Sequence, residues 1–413
     1  MHGFEWKNIR GVEGTGFVRA LRHILTSKLA DIFPTLRSHI TVELRAQLLK
    51  HEVEPGSYRL PLYDAAKMLV GKTNCLVFFG QKLTADEDFL RAATRFPHEC
   101  ALAAEIIRFI PCKLSRWLAA KVTGNYKVAS SFHRQLSREV SQRMSRFRLE
   151  NQATINNDKR KTSTEGAGWD DGLQWLIETS LSKQTWDVDR MVGEVMGVWY
   201  GSVHTLGIGV TYALLDLYSR PEYVEIIRSE LRDTPLESLS GKIDDLPVLD
   251  AFLKESARLS AFESTAVRRQ ALKPWTFTTG LSIQPGDWIC VPTRSLMRDA
   301  ARFPDPLRFD ISRHRSTASS LGRDQTQQRL LVDSNKDNDG TLIWGLSRTT
   351  CPGRFYAATV MKLVVATFLE GYECELPPQC GARSLQWRSS IIPRSSIFLH
   401  VRDNWHGAAK TLG

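Results

Sequence analysis

The residue with the clearest chemical potential in this sequence is Cys351. It stands in Trp344-Gly345-Leu346-Ser347-Arg348-Thr349-Thr350-Cys351-Pro352-Gly353-Arg354-Phe355, where a loop turns into an apolar helix. Pro352 suits the first helical position, where an N–H is not needed, and Gly353 lets the backbone come close to a neighbour. A sulfur held before a helix N-terminus meets the positive end of the helix dipole, which favours thiolate over thiol. Such a thiolate binds a metal, with its potential tuned by hydrogen bonds to the sulfur, or acts as a nucleophile. A nucleophile would need a nearby base, and no histidine lies between His314 and His400. Taken alone, Cys351-Pro352-Gly353-Arg354 describes a buried structural cysteine as readily as a ligand.

Upstream, Phe252-Leu253-Lys254-Glu255-Ser256-Ala257-Arg258-Leu259 has the pattern of an amphipathic helix. A spacing of three places the Glu255 carboxylate and the Arg258 guanidinium on one face. An isolated Glu-x-x-Arg is ordinarily a surface ion pair. Here the stretch Arg302-Phe303-Pro304-Asp305-Pro306-Leu307-Arg308-Phe309-Asp310-Ile311-Ser312-Arg313 follows and supplies another arginine able to close a buried Glu-Arg-Arg network.

With these motifs in this order, the sequence resembles the cytochrome P-450 superfamily, particularly its fungal secondary-metabolism enzymes, from about Phe17 to Val401. The resemblance implies a mostly α fold, a large helical bundle with small β-sheets, as one domain over 1–413. It also implies that the family's N-terminal membrane anchor, Pro-rich hinge and first helices and strands are lacking. Cys351 becomes the axial thiolate ligand of heme b (iron protoporphyrin IX). Glu255, Arg258 and Arg313 become a structural triad near the haem, with Arg308 competing for the third place. Gly201-Ser202-Val203-His204-Thr205, on a long apolar helix, is similar to the family's oxygen-activation segment. Thr205 would direct protons to iron-bound dioxygen, and His204, where many members have an acid, would relay them as a titrating imidazole. Without the resemblance, the two are hydrogen-bonded core residues of a Gly-rich helix.

The family's Phe-Gly-x-Gly-x-Arg/His-x-Cys is altered here to Trp344, Ser347 and Thr349 at three of its fixed positions. Arg348 is the substitute contact for a haem propionate, and Trp344 and Gly353 join it as cofactor-binding candidates. Further propionate candidates are Arg22 or Arg19 on the first helix and Arg268 or Arg269 after the Glu-x-x-Arg helix, each equally suited to an ordinary surface role. The implied activity is that of a haem-thiolate monooxygenase acting on dioxygen and an apolar secondary metabolite, terpenoid or polyketide-like. Electrons would come from NADPH through a separate NADPH-cytochrome P-450 reductase, since the chain has neither a Gly-x-Gly-x-x-Gly in a suitable unit nor a P-loop. Trp199, Val203 and Phe262 to Val267 are the candidate cavity walls, and isolated apolar residues of this kind also serve as core. The alternative is a haem-binding but catalytically impaired, truncated remnant. The family's location is the endoplasmic-reticulum membrane; the chain as written reads as cytoplasmic or peripherally attached.

The elements that must position these residues are mostly helical. Apolar spacing predicts two basic amphipathic helices between Phe17 and Leu49 with an interruption at Pro34, then helices over Tyr63–Phe79, Phe89–Phe109, Leu114–Lys121 and Ser131–Asn151. Asn156 to Gly168 reads as a surface loop. Helices follow over Trp169–Ser182, Val188 to about Leu217, Glu222–Leu231 and Cys351–Glu370. Short strands are expected at Trp275–Thr278, Leu281–Ile283, Trp288–Pro292, Leu385–Trp387 and Ile397–Val401. The 413 residues are 42% hydrophobic and 24% charged, a globular composition. A formal net charge of +10 favours an acidic partner, but the Arg-rich Ser131–Asn151 segment reads as a solvated helix face, and no nucleic acid is expected. Seven scattered cysteines without a Cys-x-x-Cys pair fit a reducing compartment. No uninterrupted run of about 20 apolar residues is present to span a bilayer.

Overall fold

The computed structural model describes residues 16–107, 110–155, 170–181, 186–239, 246–314, 331–333, 341–346, 350–378 and 381–404. A short helix, Gly16–Arg19, runs into a π-helical turn, Ala20–Leu25. The longer helices are α1 (Leu29–Leu49), α2 (Leu62–Ala85), α3 (Glu87–Ile107), α4 (Cys112–Val122), α5 (Lys127–Ile155), α6 (Gly172–Leu181), α7 (Val188–Tyr218), α8 (Pro221–Asp233), α9 (Pro247–Leu259) and α10 (Arg354–Gly371). The strands are β1 (Glu52–Glu54), β2 (Ser57–Pro61), β3 (Ala266–Gln270), β4 (Trp275–Thr276), β5 (Ser282–Ile283), β6 (Trp288–Val291), β7 (Tyr372–Glu375), β8 (Ser384–Trp387), β9 (Ser390–Pro393) and β10 (Phe398–Asp403). The chain divides into two compact units, one of residues 1–28 and 67–207, the other of 29–66 and 208–413.

The first unit is helical and built on aromatic packing. Trp199 of α7 is fully buried and meets Phe79 at 4.9 Å and Phe78 edge-on at 6.0 Å between ring centroids. Its indole N–H donates to the Ala93 carbonyl at 2.8 Å. Phe79 in turn packs edge-on to Phe89 and Phe132. Such tilted pairs add to the area burial of large rings. Trp199 and Val203 are therefore core residues of this unit rather than walls of an open cavity.

Arg143 of α5 runs against the expectation of a solvated basic helix. Its side chain is buried, with Nε donating to Glu139 Oε1 at 2.8 Å and Nη1 to Asp171 Oδ1 at 2.6 Å. Asp171 also caps α6, accepting the Gln174 N–H at 3.0 Å. α2 breaks its helical path at Gly80 (φ 76), where an added Cβ would come within 2.9 Å of Asp171 Oδ2. Glycine is required there for both backbone angle and space.

The second unit carries every strand described. Its main sheet has the order β1-β2-β10-β7, all antiparallel, with Val401 of β10 opposite Tyr58 and Cys374. Asp403 ties the sheet to α1, accepting from Arg45 at 2.6 Å and from the Tyr58 hydroxyl at 3.0 Å. α10 is buried on nearly all sides, with Val360, Leu363, Val364, Val365 and Ala366 sealed from solvent. Its Lys362 Nζ lies 2.5 Å from Asp250 Oδ1 of α9, and both side chains are fully buried.

Two expectations change. α1 runs through Pro34, where proline leaves the Ala30 carbonyl without its helical N–H partner, and the turn lies at Lys28. The Glu52–Pro61 hairpin, β3, β7 and β9 were not legible from alternation. The loop read at Asn156–Gly168 lies outside the described residues.

Replacing Arg143 with leucine would leave Glu139 and Asp171 buried beside an apolar side chain. We expect Arg143→Leu to lower the urea-unfolding free energy by about 3–5 kcal/mol, the usual consequence of removing one partner of a buried ion pair. A loss under about 1 kcal/mol would mean that water reaches this network.

Candidate active site

Cys351 lies in a loop whose backbone is fixed from several directions. Its own N–H donates to the Trp344 carbonyl at 2.8 Å. The Trp344 indole N–H donates to the Leu331 carbonyl at 2.6 Å, and the Leu331 N–H donates to Asp250 Oδ2 at 2.6 Å. Arg354 Nε donates to the Val332 carbonyl at 2.9 Å, and Nη1 reaches the Cys351 carbonyl at 3.3 Å. Gly345 adopts φ 81, a left-handed turn that glycine accepts without strain. Helix α10 begins at Arg354 with Gly353 as its N-cap, so Cys351 and Pro352 precede the helix rather than opening it. Cys351 is half-buried and is not part of a disulfide. A Cβ built on Gly353 would meet nothing within 4 Å.

The Glu-x-x-Arg pair is a fully buried ion pair. Arg258 Nε donates to Glu255 Oε2 at 2.7 Å and Nη2 to Oε1 at 2.8 Å, a bidentate arrangement. Arg258 Nη1 also donates to the carbonyls of Met297 at 2.5 Å and Pro306 at 2.9 Å. Glu255 further accepts the Asp310 N–H at 3.0 Å and is joined by His314 Nε2 at 2.9 Å and Arg313 Nε at 3.6 Å. Arg313 thus stands beside Glu255, while Arg308 is exposed. Burial alone would raise the Glu255 pKa, but hydrogen bonds from Arg258 and His314 and their charges hold it down to about 2. Burial pushes the His314 pKa down, partly offset by the hydrogen bond and charge of Glu255. His314 is the member of the network that sequence reasoning missed; nothing in the local pattern marks one histidine as buried.

On α7, within the first unit, Thr205 is half-buried and its hydroxyl donates to the Gly201 carbonyl at 3.0 Å, a back-bond to the preceding turn. A Cβ on Gly201 would meet nothing within 4 Å. Asn74 Nδ2 donates to the Ser202 carbonyl at 2.9 Å. His204 is largely buried, and its Nε2 has no hydrogen-bond partner. Burial, then the charges of Lys67 and His98, push its pKa down to about 4. The ring is therefore neutral across the physiological range and does not titrate there as the sequence reading had it.

The remaining candidates are scattered. Trp344 braces the cysteine loop as described. Arg268 sits on the surface, where Nη2 donates to Glu263 Oε2 at 2.5 Å and to Ser389 Oγ at 2.7 Å. Val267, in the bulge between Ala266 and Arg269, has φ 52, a rare conformation for a β-branched residue that turns this strand. Arg269 is exposed and donates to the Arg268 carbonyl. Arg19 is exposed and Arg22 half-buried on the opening helical segment of the first unit. Arg348, with Ser347 and Thr349, lies outside the described residues.

Comparison with known proteins identifies the family. The cytochrome P450 family model matches residues 73–400, and the chain belongs to that family. It is 28% identical over 92% of its length to the cytochrome P450 monooxygenase olcJ of Penicillium canescens, covering 70% of that protein. It is 25% identical over 93% of its length to an ent-kaurene oxidase of Gibberella intermedia, again covering 70% of it. The crystal structure of the cytochrome P450DA heme domain shares the fold, with a TM-score of 0.67 and 17% identity over 98% of this chain and 83% of that one. The enzyme is thus a cytochrome P450 monooxygenase, and the family's cofactor is haem with an axial cysteine thiolate.

The residues present fit that group. Among the described residues no cluster of three His, Cys, Asp or Glu side chains could hold a metal ion on protein ligands alone. Iron carried in a porphyrin needs one axial ligand from the chain, and a half-buried thiol before a helix, next to a glycine with open space at its Cβ position, supplies that.

Two outcomes follow from these charges. Arg258→Leu strands the Glu255 carboxylate in the core, and we expect a loss of about 3–5 kcal/mol in urea unfolding. For His204, the unfolded chain takes up a proton near pH 6.5 while the folded ring stays neutral to about pH 4. The unfolded state therefore binds more protons in that window, and stability falls as pH drops through it. His204→Leu should show a shallower decline of the urea midpoint between these pH values than wild type. Equal slopes would place the histidine in solvent.

Proposed function

We propose that this chain oxidises an apolar secondary metabolite, terpenoid or polyketide-like, with Cys351 as the haem ligand and with electrons delivered from NADPH by a separate cytochrome P450 reductase. The reading rests above all on one observation: Cys351 lies in a braced loop directly before α10, in the same unit as the Glu255–Arg258–Arg313 cluster. The kinship with an ent-kaurene oxidase and with olcJ supports the substrate class. When bound, haem with a thiolate ligand supplies the activation of dioxygen. The chain's own residues hold and shape the site. Trp344, Asp250 and Arg354 fix the backbone on either side of the sulfur, so the thiolate position is set before any cofactor binds. Thr205 keeps a hydroxyl on α7 one turn from Gly201, able to hold a proton at Oγ1 while its hydrogen bond to the Gly201 carbonyl orients it. His204 beside it is held neutral at physiological pH by its burial.

The test is optical. Purified, reduced protein exposed to carbon monoxide should show the red-shifted Soret band of a thiolate-ligated haem, and Cys351→Ala should lose it. A wild type that takes up no haem would defeat the proposal. Comparing metabolite profiles of a fungal host with and without the gene then addresses the reaction. Haem uptake with an unchanged profile would favour a binding protein over an enzyme.

A further inference from the structure

Asp216 lies near the C-terminal end of α7, in the part of that helix that belongs to the second unit, and is fully buried. Arg220, one turn on, donates through Nη1 to Asp216 Oδ1 at 3.2 Å, and the Ser256 hydroxyl of α9 donates to Oδ2 at 2.6 Å. A further guanidinium comes from outside the helices. Arg383, the residue before β8, donates through Nη1 to Asp216 Oδ1 at 2.6 Å. Its Nη2 donates at 2.6 Å to the hydroxyl of Ser260, the C-cap of α9, and its guanidinium carbon lies 5.3 Å from the centroid of the Tyr212 ring. The next residue is held as well, with the Ser384 and Tyr212 hydroxyls 2.8 Å apart. A planar fork bound at two ends beside an aromatic ring has a fixed orientation. Arg220 and Ser256 keep Asp216 partnered in any case, so Arg383 is not needed to make the buried charge tolerable. What it fixes is the strand that follows it.

β8 and β9 form a two-stranded sheet of their own, with Ser384 opposite Pro393 and Trp387 opposite Ser390. Such a hairpin is marginal in water by itself and must be held from outside. Its base is held by Arg383 and Ser384. Its far end is tied to the segment between α9 and β3, where the Ser264 N–H donates to the Ser389 carbonyl at 2.6 Å and the Ile391 N–H to the Phe262 carbonyl at 2.7 Å. Arg268 Nη2 donates to Ser389 Oγ at 2.7 Å, and Ser390 Oγ to Glu263 Oε1 at 3.1 Å. Arg294 joins the two again, with its N–H on the Ser264 carbonyl at 3.2 Å and Nη1 on Gln386 Oε1 at 3.0 Å. Both ends of the hairpin thus bear on the chain that leaves α9, the base at Ser260 and the tip at residues 262–264. Residues 262–267 are half-buried throughout, and they are the stretch expected to wall a cavity. Hairpin and wall form one piece, anchored at its base on Asp216.

We infer that Asp216 and Arg383 are positioning residues: they set the placement of the β8–β9 hairpin and, through it, of the wall at residues 262–267, and so decide how bulky a molecule is accepted beside the haem. The inference rests on the proposed function, which puts the haem at Cys351 and an apolar substrate beside it. It is tested on the haem-loaded full chain by optical titration with imidazole and with the triarylmethyl imidazole clotrimazole, both of which shift the Soret band on binding iron through nitrogen. Imidazole is too small to press on the walls, whereas three aryl rings meet them on several sides. Arg383→Met, which leaves Arg220 and Ser256 on Asp216, should weaken clotrimazole about tenfold or more relative to imidazole, the range for lost packing in an apolar pocket. Tyr212→Phe/Ser384→Ala, a milder change at the same anchor, should move that ratio the same way by about threefold. This second variant decides the matter where Arg383→Met takes up no haem. Hydrogen exchange, read without reference to haem, should be faster in the amides of residues 385–392 of Arg383→Met and unchanged in α10. The inference is overturned if the clotrimazole-to-imidazole ratio stays within about twofold of wild type in every variant that binds haem. It is equally overturned if exchange in the hairpin is unaltered, or rises as much in α10, which would make the anchor a general brace of the unit. A wild type without the carbon monoxide spectrum of a thiolate haem defeats this inference together with the proposed function, whereas a normal spectrum with an unchanged ratio defeats the inference alone.

Discussion

The second unit is organised around one carboxylate that water does not reach. Glu255 is fully buried, and isolated in a protein interior such a charge would be prohibitive. It is tolerated because its oxygens are matched by a bidentate guanidinium, a backbone N–H, an imidazole N–H and a second guanidinium at longer range. These donors come from two stretches of chain, α9 and residues 310–314. Arg258 lies one turn along α9, Asp310 supplies its amide from the turn after Phe309, and Arg313 and His314 close a short 3-10 segment, Ile311–His314. Burying the carboxylate therefore compels these stretches to converge. Arg258 extends the convergence by gripping the Met297 and Pro306 carbonyls with its remaining donors.

α9 carries a second buried charge with a comparable task. Asp250, one and a half turns before Glu255, pairs with Lys362 of α10 and receives the N–H of Leu331. The Leu331 carbonyl accepts the Trp344 indole, and the Trp344 carbonyl accepts the N–H of Cys351. From α9, two ion pairs thus fix the course of the loop that presents the sulfur. Met297, whose carbonyl Arg258 holds, also accepts the Leu342 N–H at its sulfur at 3.5 Å.

Much of this was legible in the sequence, and the reasons differ by element. The Glu255 helix is legible from its amphipathic pattern, and those around Cys351 and Thr205 from long, mostly apolar runs. The Glu255–Arg258 pair followed from a spacing of three, and Arg313 from its position after Phe309. What escaped were partners whose importance comes from tertiary burial. His314 sits next to the expected arginine but carries no local mark of its role. Arg143 looked like one of many arginines on a basic helix, and its inward turn is decided by Asp171 on a different element. Hairpin β1–β2 and strands β3, β7 and β9 are too short, or too irregular at Val267, for alternation to reveal them. His204 was assigned a titrating role by residue type, whereas its environment excludes the charged form.

The buried pairs of α9 also explain why this unit uses charge where hydrocarbon would stabilise it equally well. Replacing a buried ion pair with apolar residues of similar volume is often neutral or favourable for stability. A packed leucine, however, fixes distance without direction, and several rotamers of the loop at residues 341–346 would satisfy it. A bidentate guanidinium and a carboxylate with backbone donors are directional, and each remaining donor or acceptor left unmade carries a penalty of about 1–3 kcal/mol. Arg258 and Asp250 both spend their spare bonds on backbone groups of Met297, Pro306 and Leu331, the segments that lead to the cysteine loop. Charge in the core therefore acts here as a means of setting backbone direction, and the sulfur of Cys351 lies at the end of the chain of bonds that it directs.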